Sequence, residues 1–319
     1  MHPKDLIARI ESTAPLHLAA SWDKSGVQIA SAAAEVRTMC VALDPTVDTL
    51  RRAVDLQADF LLCHHPLALS PRLPSRLDEY HEVLRLTLSS SMWLYSAHTS
   101  LDANPDGPVN WLGRALGLRD MCVLEVTRRE TPTLFRVPAH LDAEALRGFE
   151  DACTHRDAQI SECVLWPEDA ASFRARAAGL GPCQEISLTS PAREFGFGCI
   201  GTLPQALTWL DFSARLREVL RAAPRSVGFA RDSVTTVAYC PGSGADLAPT
   251  AFARGADVFL TGDVKYHQAQ AVQDLGLTLD VGHFSLEENM MRIWSESLAH
   301  ELADAGVRVV FLPGRDPFA

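Results

Sequence analysis

Apolar residues recur at helical spacing over 3–14, and the pattern then breaks at the loop "SWDKSGVQIA", whose end reads as a short strand. From there continuous apolar runs alternate with amphipathic stretches. "TMCVAL" predicts a strand, "TVDTLRRAVDLQ" a helix, "DFLLC" a strand, "SRLDEYHEVLRLTLSS" a helix, "MWLYSA" a strand and "PVNWLGRALG" a helix. The runs are apolar at successive positions, as in strands covered on both faces, so the alternation points to an α/β layered fold with much parallel sheet.

The scheme returns further along. "VTTVAYC", "DVFLTG", "LTLDVG" and "VRVVFL" read as strands, and "GADLAPTAFARG", "VKYHQAQAVQDLG" and the long "LEENMMRIWSESLAHELADAG" as helices. Between the two series the texture changes. "TPTLFRVP", "LDAEALRGFEDACTH", "ISECVLW", "EDAASFRARAAG" and "EISLTS" suggest a small α+β unit, so 123–194 is expected to be an inserted domain and 1–122 with 195–319 the core.

Three short stretches recur in the same order. "VALDP" (41–45) matches "VAYCP" (237–241), "ADFLLCHHP" (58–66) matches "ADVFLTGDV" (256–264), and "AHTSLD" (97–102) matches "GHFSLE" (282–287). Each falls at the C-terminal end of a predicted strand, where open α/β sheets bind ligands. The expectation is an internally duplicated α/β unit whose halves face one site.

Composition narrows the partners. Lys plus Arg is 29 against 40 for Asp plus Glu, a formal charge of −11 over 319 residues, which repels phosphate backbones and anionic lipid. Nucleic acid is therefore not the expected partner. The first 22 residues lack the apolar run of a signal peptide or membrane span, and a cytoplasmic protein is expected. Eight scattered cysteines without a C-x-x-C pair suggest reduced, buried thiols and leave the 11 histidines as the ligand supply.

"CHHP" places His64 and His65 just past a strand and before a proline. Neighbouring side chains of a regular strand point to opposite faces, so the two suit two neighbouring ions better than one; a hydrogen-bonded turn is the alternative. His283 and Glu287 are four apart, a chelating pair if a helix begins there, and His98 and Asp102 repeat the spacing. Asp102 and Glu287 could hold or bridge two ions, and Asp102 could instead cap a helix. "TGDVKYH" adds Asp263, Lys265 and His267: Asp263 could cap a helix or belong to a substrate site, and Lys265 or His267 could contact an anionic substrate or shuttle a proton. "CPGSGADL" lacks the spacing of a phosphate loop and reads as a plain strand-to-helix turn.

Taken together, "WDKSGVQ", "VALDPT", "LLCHHPL", "AHTSLDANPDGPVN", "ADVFLTGDVKYHQA" and "DVGHFSLEE" resemble the NIF-three-like family, the GTP cyclohydrolase I type 2 homologs, over about 1–120 and 195–319. The resemblance implies a dinuclear site with ligands His64, His65, Asp102, His283 and Glu287 and with His98 beside it. It pairs His65 with Asp102 on one ion and His64 with His283 on the other, Glu287 bridging. It also implies a toroidal homohexamer. Lys24 stands where the family usually has Asn, "HHPLALSP" lacks the usual aromatic, and 123–194 matches the usual insert poorly.

The expected function is metal-dependent hydrolysis of a small nucleotide-like or phosphorylated substrate, with two divalent ions (zinc, manganese, iron or nickel) activating water and His98 or His267 moving the proton. A metal carrier or insertion factor without catalysis is the rival.

Overall fold

The computed structural model describes residues 1–70, 72–141, 146–178, 181–220 and 224–318. It divides into two compact units, Met1–Glu125 with Gly196–Ala319, and Val126–Phe195.

In chain order the first unit opens with α1 (Pro3–Thr13), β1 (Gly26–Ile29), β2 (Thr38–Ala42), α2 (Val47–Asp55), β3 (Phe60–Cys63), α3 (Glu79–Ser90), β4 (Trp93–Ser96), the single turn α4 (Thr99–Asp102) and α5 (Trp111–Ala115). The long strand β5 (Arg119–Glu130) leads out of this unit. Helix starts follow side-chain caps. Thr46 accepts the Thr49 N–H at α2, and Asp78 accepts the His81 N–H at α3, so that helix begins inside the stretch 75–90 and not at its first residue.

The second unit holds β6 (Thr133–Pro138), β7 (Cys153–Arg156), β8 (Ile160–Leu165), α6 (Pro167–Ala177) and β9 (Gln184–Ser187). Its strands form one antiparallel sheet, order β7-β8-β6-β9. Phe135, Val137, Cys163 and Leu165 on one face bury against Phe173 of α6. Residues 142–145, within the stretch "LDAEALRGFEDACTH", lie outside the described residues.

The chain returns through β10 (Arg193–Thr208) to α7 (Trp209–Leu220), β11 (Arg225–Val227), β12 (Ser233–Tyr239), α8 (Ala248–Ala253), β13 (Val258–Thr261), α9 (Tyr266–Val272), β14 (Leu277–Asp280), α10 (His283–Glu301) and β15 (Arg308–Phe311). One sheet runs β1-β4-β3-β2-β15, parallel except for β1. The other runs β11-β14-β13-β12-β10-β5, with β12, β13 and β14 parallel and β11 antiparallel at the edge. The order β1-β4-β3-β2 thus has the same senses as β11-β14-β13-β12, the arrangement that two copies of one unit would have.

The apolar strands are explained by what covers them. Met39, Val41, Phe60 and Leu62 point into a core shared with Val237, Tyr239, Val258 and Leu260 of the other sheet and with Met290, Met291 and Trp294 of α10. Their alternates Cys40, Ala42, Leu61 and Cys63 face Leu50 and Ala53 of α2 and Val83 of α3. In the second sheet Ala238 and Phe259 likewise face Ala248 and Ala251 of α8. The central strands β2, β3, β4, β13 and β14 are buried on both faces, so no polar alternation survives in them. No helix among the described residues is long and apolar enough to cross a membrane.

Candidate metal centre

Register brings the chemistry together. Ala42, Cys63 and Ser96 stand side by side at the ends of β2, β3 and β4, so Asp44, His64, His65 and His98 all emerge from one edge. Thr261 pairs with Asp280 across β13 and β14, and Asp263 and His283 emerge just beyond them. Strand β3 ends at Cys63, so the alternation of strand side chains does not extend to His64 and His65. Their ring centroids are 5.1 Å apart, and ligand atoms of His64, His65 and His98 lie within 4.8 Å of one another. Ligand atoms of His65, His283 and Glu287 form a second such group.

Each imidazole is turned by its far nitrogen. His64 Nδ1 lies 2.8 Å from the Ala97 carbonyl, His65 Nδ1 2.6 Å from Asp44, His98 Nδ1 2.8 Å from Asp23 and His283 Nδ1 2.7 Å from Asp263. A carbonyl only accepts, so His64 Nδ1 carries hydrogen and a neutral His64 offers its Nε2 lone pair inward. That atom is 3.7 Å from Asp102 Oδ1 and 3.7 Å from Glu287 Oε1. A lone pair facing two carboxylates is repulsive without a cation or proton between them. Tethering the outer ring nitrogen to a carbonyl or carboxylate is the usual way to orient a metal-binding histidine.

The inner atoms are otherwise unprovided for. His64 Nε2, Asp102 Oδ1 and Glu287 Oε2 are buried without a hydrogen-bond partner. Glu287 Oε2 is 2.7 Å from His283 Nε2 and 3.0 Å from His65 Nε2, yet neither approach is aligned as a hydrogen bond. Nitrogen and carboxylate donors converging in this way fit a divalent transition metal, and these groups could hold one.

Protonation answers the same crowding. Burial pushes the His65 ring down, but Asp44 and Glu287 outweigh it and raise its pKa to about 10. His283 is likewise lowered by burial and raised more strongly by Glu287 and Asp263, to about 9. Burial disfavours the Glu287 carboxylate, while the His64, His283 and His65 rings hold it well below the usual range. Burial dominates at Asp102, which is raised despite His64.

Local backbone serves this geometry. His283 is the first residue of α10, so His283 and Glu287 share a face as the four-residue spacing predicts. Gly242, in "CPGSG", has φ +65°, and a Cβ there would sit 2.6 Å from Glu287 Oε1. The turn is glycine because the carboxylate lies against it. Asp263 adopts φ 54°, a left-handed conformation that Asp tolerates, and places its carboxylate on His283 and the Ser243 hydroxyl.

The five candidate ligands singled out by sequence, His64, His65, Asp102, His283 and Glu287, therefore reach one place, with His98 beside them. The pairing differs from the one the resemblance implies: His65 Nε2, not His64 Nε2, stands against His283 Nε2, at 3.3 Å. Asp263 orients His283 and also lines the adjoining cavity. Lys265 and His267 are exposed at the start of α9, His267 bonded to Gln270, and neither lines that cavity. Asp44 and Asp23 were not foreseen as site residues; their signal was an acid just past a strand in "VALDP" and before the turn in "WDKSG". Asp23 also accepts from Lys24 N, the Ser25 hydroxyl, and both the N–H and hydroxyl of Thr99.

Two largely similar mixed sheets carrying one His and carboxylate cluster define a mixed α/β protein with a candidate metal centre. The chain belongs to the Duf34/NIF3 (NGG1p interacting factor 3) family, whose model matches residues 1–317. A Staphylococcus epidermidis protein named GTP cyclohydrolase 1 type 2 homolog is 24% identical, with 89% of this chain and 90% of the relative aligned. Among solved structures, a Bacillus cereus protein related to NIF3 superposes with a TM-score of 0.88 at 25% identity, covering 100% of this chain and 99% of the other. Reduced HcgD from Methanocaldococcus jannaschii has a TM-score of 0.69 at 21% identity, covering 98% of each chain.

Proposed function

We propose that the chain is a metal-dependent hydrolase that holds two divalent ions and acts on a small nucleotide-like or phosphorylated substrate. The observation that carries this reading is the inward convergence of four tethered imidazoles on Asp102 and Glu287, in two ligand groups that share His65. The name of the Staphylococcus relatives points the same way. The donor set suits zinc, manganese, iron or nickel. His64, His65, Asp102, His283 and Glu287 would hold the ions, which supply Lewis acidity toward water and a substrate oxygen.

The remaining residues handle protons and orientation. His98 joins His64 and His65 through its inner nitrogen, while its Nδ1 is anchored to buried Asp23. Asp23 stays ionised, because the bonds from His98, Thr99 and Ser25 outweigh burial and hold its pKa far below the carboxylate range. Asp23 thus fixes the orientation of the His98 ring and leaves its other nitrogen facing the cluster, the arrangement of a carboxylate-oriented acid–base histidine. Ser96 fixes the chain beneath by donating to the His64 carbonyl. We further propose cytoplasmic function as a homohexamer on a small-molecule substrate, with 126–195 folding as a separate insert.

The test uses His98→Gln in the metal-reconstituted protein, assayed against a panel of nucleotides and phosphorylated metabolites. The reading expects retained metal and turnover reduced by about 10²–10⁴. Rapid metal release to a chelator, with none of the panel consumed by zinc-, manganese- or iron-loaded parent, would overturn it in favour of a metal carrier.

A further inference from the structure

Beside the cluster lies a cavity of about 680 Å³, the size that takes a small organic ligand. His65 and His283 open onto it, so a molecule there reaches the candidate metal centre directly. Among the described residues, four acids, Asp44, Asp263, Asp280 and Asp316, also line it, and Arg225 is the one Lys or Arg in the lining. Left to itself such a lining would repel an anion.

Each of these acids is engaged, however. Asp44 and Asp263 hold the outer nitrogens of His65 and His283, and Asp316 accepts the Phe318 N–H. Asp280, on the last position of β14, pairs with Arg225 and also accepts the backbone N–H groups of Val264 and Gly282. The Asp280 carboxylate therefore keeps two donors if Arg225 turns away. Arg225 is free to turn: its side chain is 76% exposed while that of Asp280 is 5% exposed. Only the Arg225 end of the pair is exposed; the buried Asp280 carboxylate stays hydrogen-bonded to two backbone N–H groups when the guanidinium leaves.

Register sets where Arg225 stands. It pairs with Asp280 across the edge strand β11, and Asp280 is three residues before His283. The guanidinium is thus carried on sheet, at the same strand ends as the candidate metal ligands. Its planar fork is suited to two oxygens of one phosphoryl or carboxylate group.

We propose that Arg225 is the anion-recognising residue of this cavity, taking a phosphoryl or carboxylate group of the substrate while the reacting part lies at His65 and His283. This rests on the hydrolase reading and narrows its substrate to an oxyanion-bearing small molecule. It also reassigns the anion contact expected of Lys265.

The experiment measures binding of inorganic phosphate, adenosine 5′-monophosphate and succinate by calorimetry to zinc-loaded parent, Arg225→Ala and Arg225→Lys, with metal content determined on each preparation. Expected are tighter binding of at least one of these anions than of uncharged adenosine, a loss of about 10–100-fold in Arg225→Ala at unchanged metal content, and only partial recovery in Arg225→Lys. The phosphate and succinate arms tell which oxyanion is preferred. Affinity within about twofold of the parent in a folded, metal-loaded Arg225→Ala would overturn the proposal, placing the anion on the ions alone. Parent protein that holds metal but binds none of the anions would also overturn it and leave the metal centre standing. Parent that takes up no metal would instead count against the hydrolase reading.

Discussion

Gly242 shows how closely the backbone is fitted to one carboxylate. A side chain at 242 meets Glu287 Oε1 and strains a left-handed φ at once, so Gly242→Ala should push Glu287 away from the histidines. The expected result is a fall in metal affinity of about tenfold or more, with the circular dichroism of the parent; unchanged affinity would contradict the contact. Asp263→Asn tests the same cluster from outside. It removes the charge that orients His283, and metal affinity should drop by about 10–100-fold.

The pKa shifts give a residue-level pH dependence. His65 and His283 are raised to about 10 and about 9 in the metal-free fold, against about 6.5 in an unfolded chain. A raised folded pKa contributes stability that is complete below about pH 6.5 and is lost as pH climbs through 9 and 10. Chelator-treated protein should therefore show a falling denaturation midpoint over that window. Metal must displace these protons, so its affinity should rise with pH in the same range. A flat midpoint together with pH-independent metal affinity would argue against charged imidazoles in the cluster.

At the level of elements, every residue of the candidate centre lies in Met1–Glu125 or Gly196–Ala319. Joining Glu125 to Gly196 through a short Gly/Ser linker should leave metal binding within about twofold of the parent, since compact units tend to fold alone. A folded excision variant that binds no metal would show that 126–195 shapes the site. The strands and helices themselves were legible because burial on both sheet faces writes continuous apolar runs into the sequence. The positions of His64, His98, Asp102, His283 and Glu287 were legible because each follows such a run. What local pattern could not carry was the meeting of residues far apart: His65 and His283 are 218 positions apart, His98 and Asp23 75 apart. Asp23 and Asp44 read as ordinary turn acids for that reason. His267 misled in the opposite way, since a polar residue just past a strand in "TGDVKYH" looks like its neighbours until α9 turns it outward.

On the scale of the whole molecule, two sheets with equivalent strand order press their inner faces on one core and bring their C-terminal ends to one cluster. A negative chain with formal charge −11 gathers four imidazoles around Asp102 and the buried Glu287, a cluster whose carboxylates call for positive charge, supplied by protons or by metal ions. The most direct test is elemental analysis of the purified protein after reconstitution at neutral pH, beside a His65→Ala, Glu287→Gln double variant. The account predicts about two transition-metal ions per chain in the parent and loss of both in the variant. No bound metal in the parent, or full retention in the variant, would contradict it.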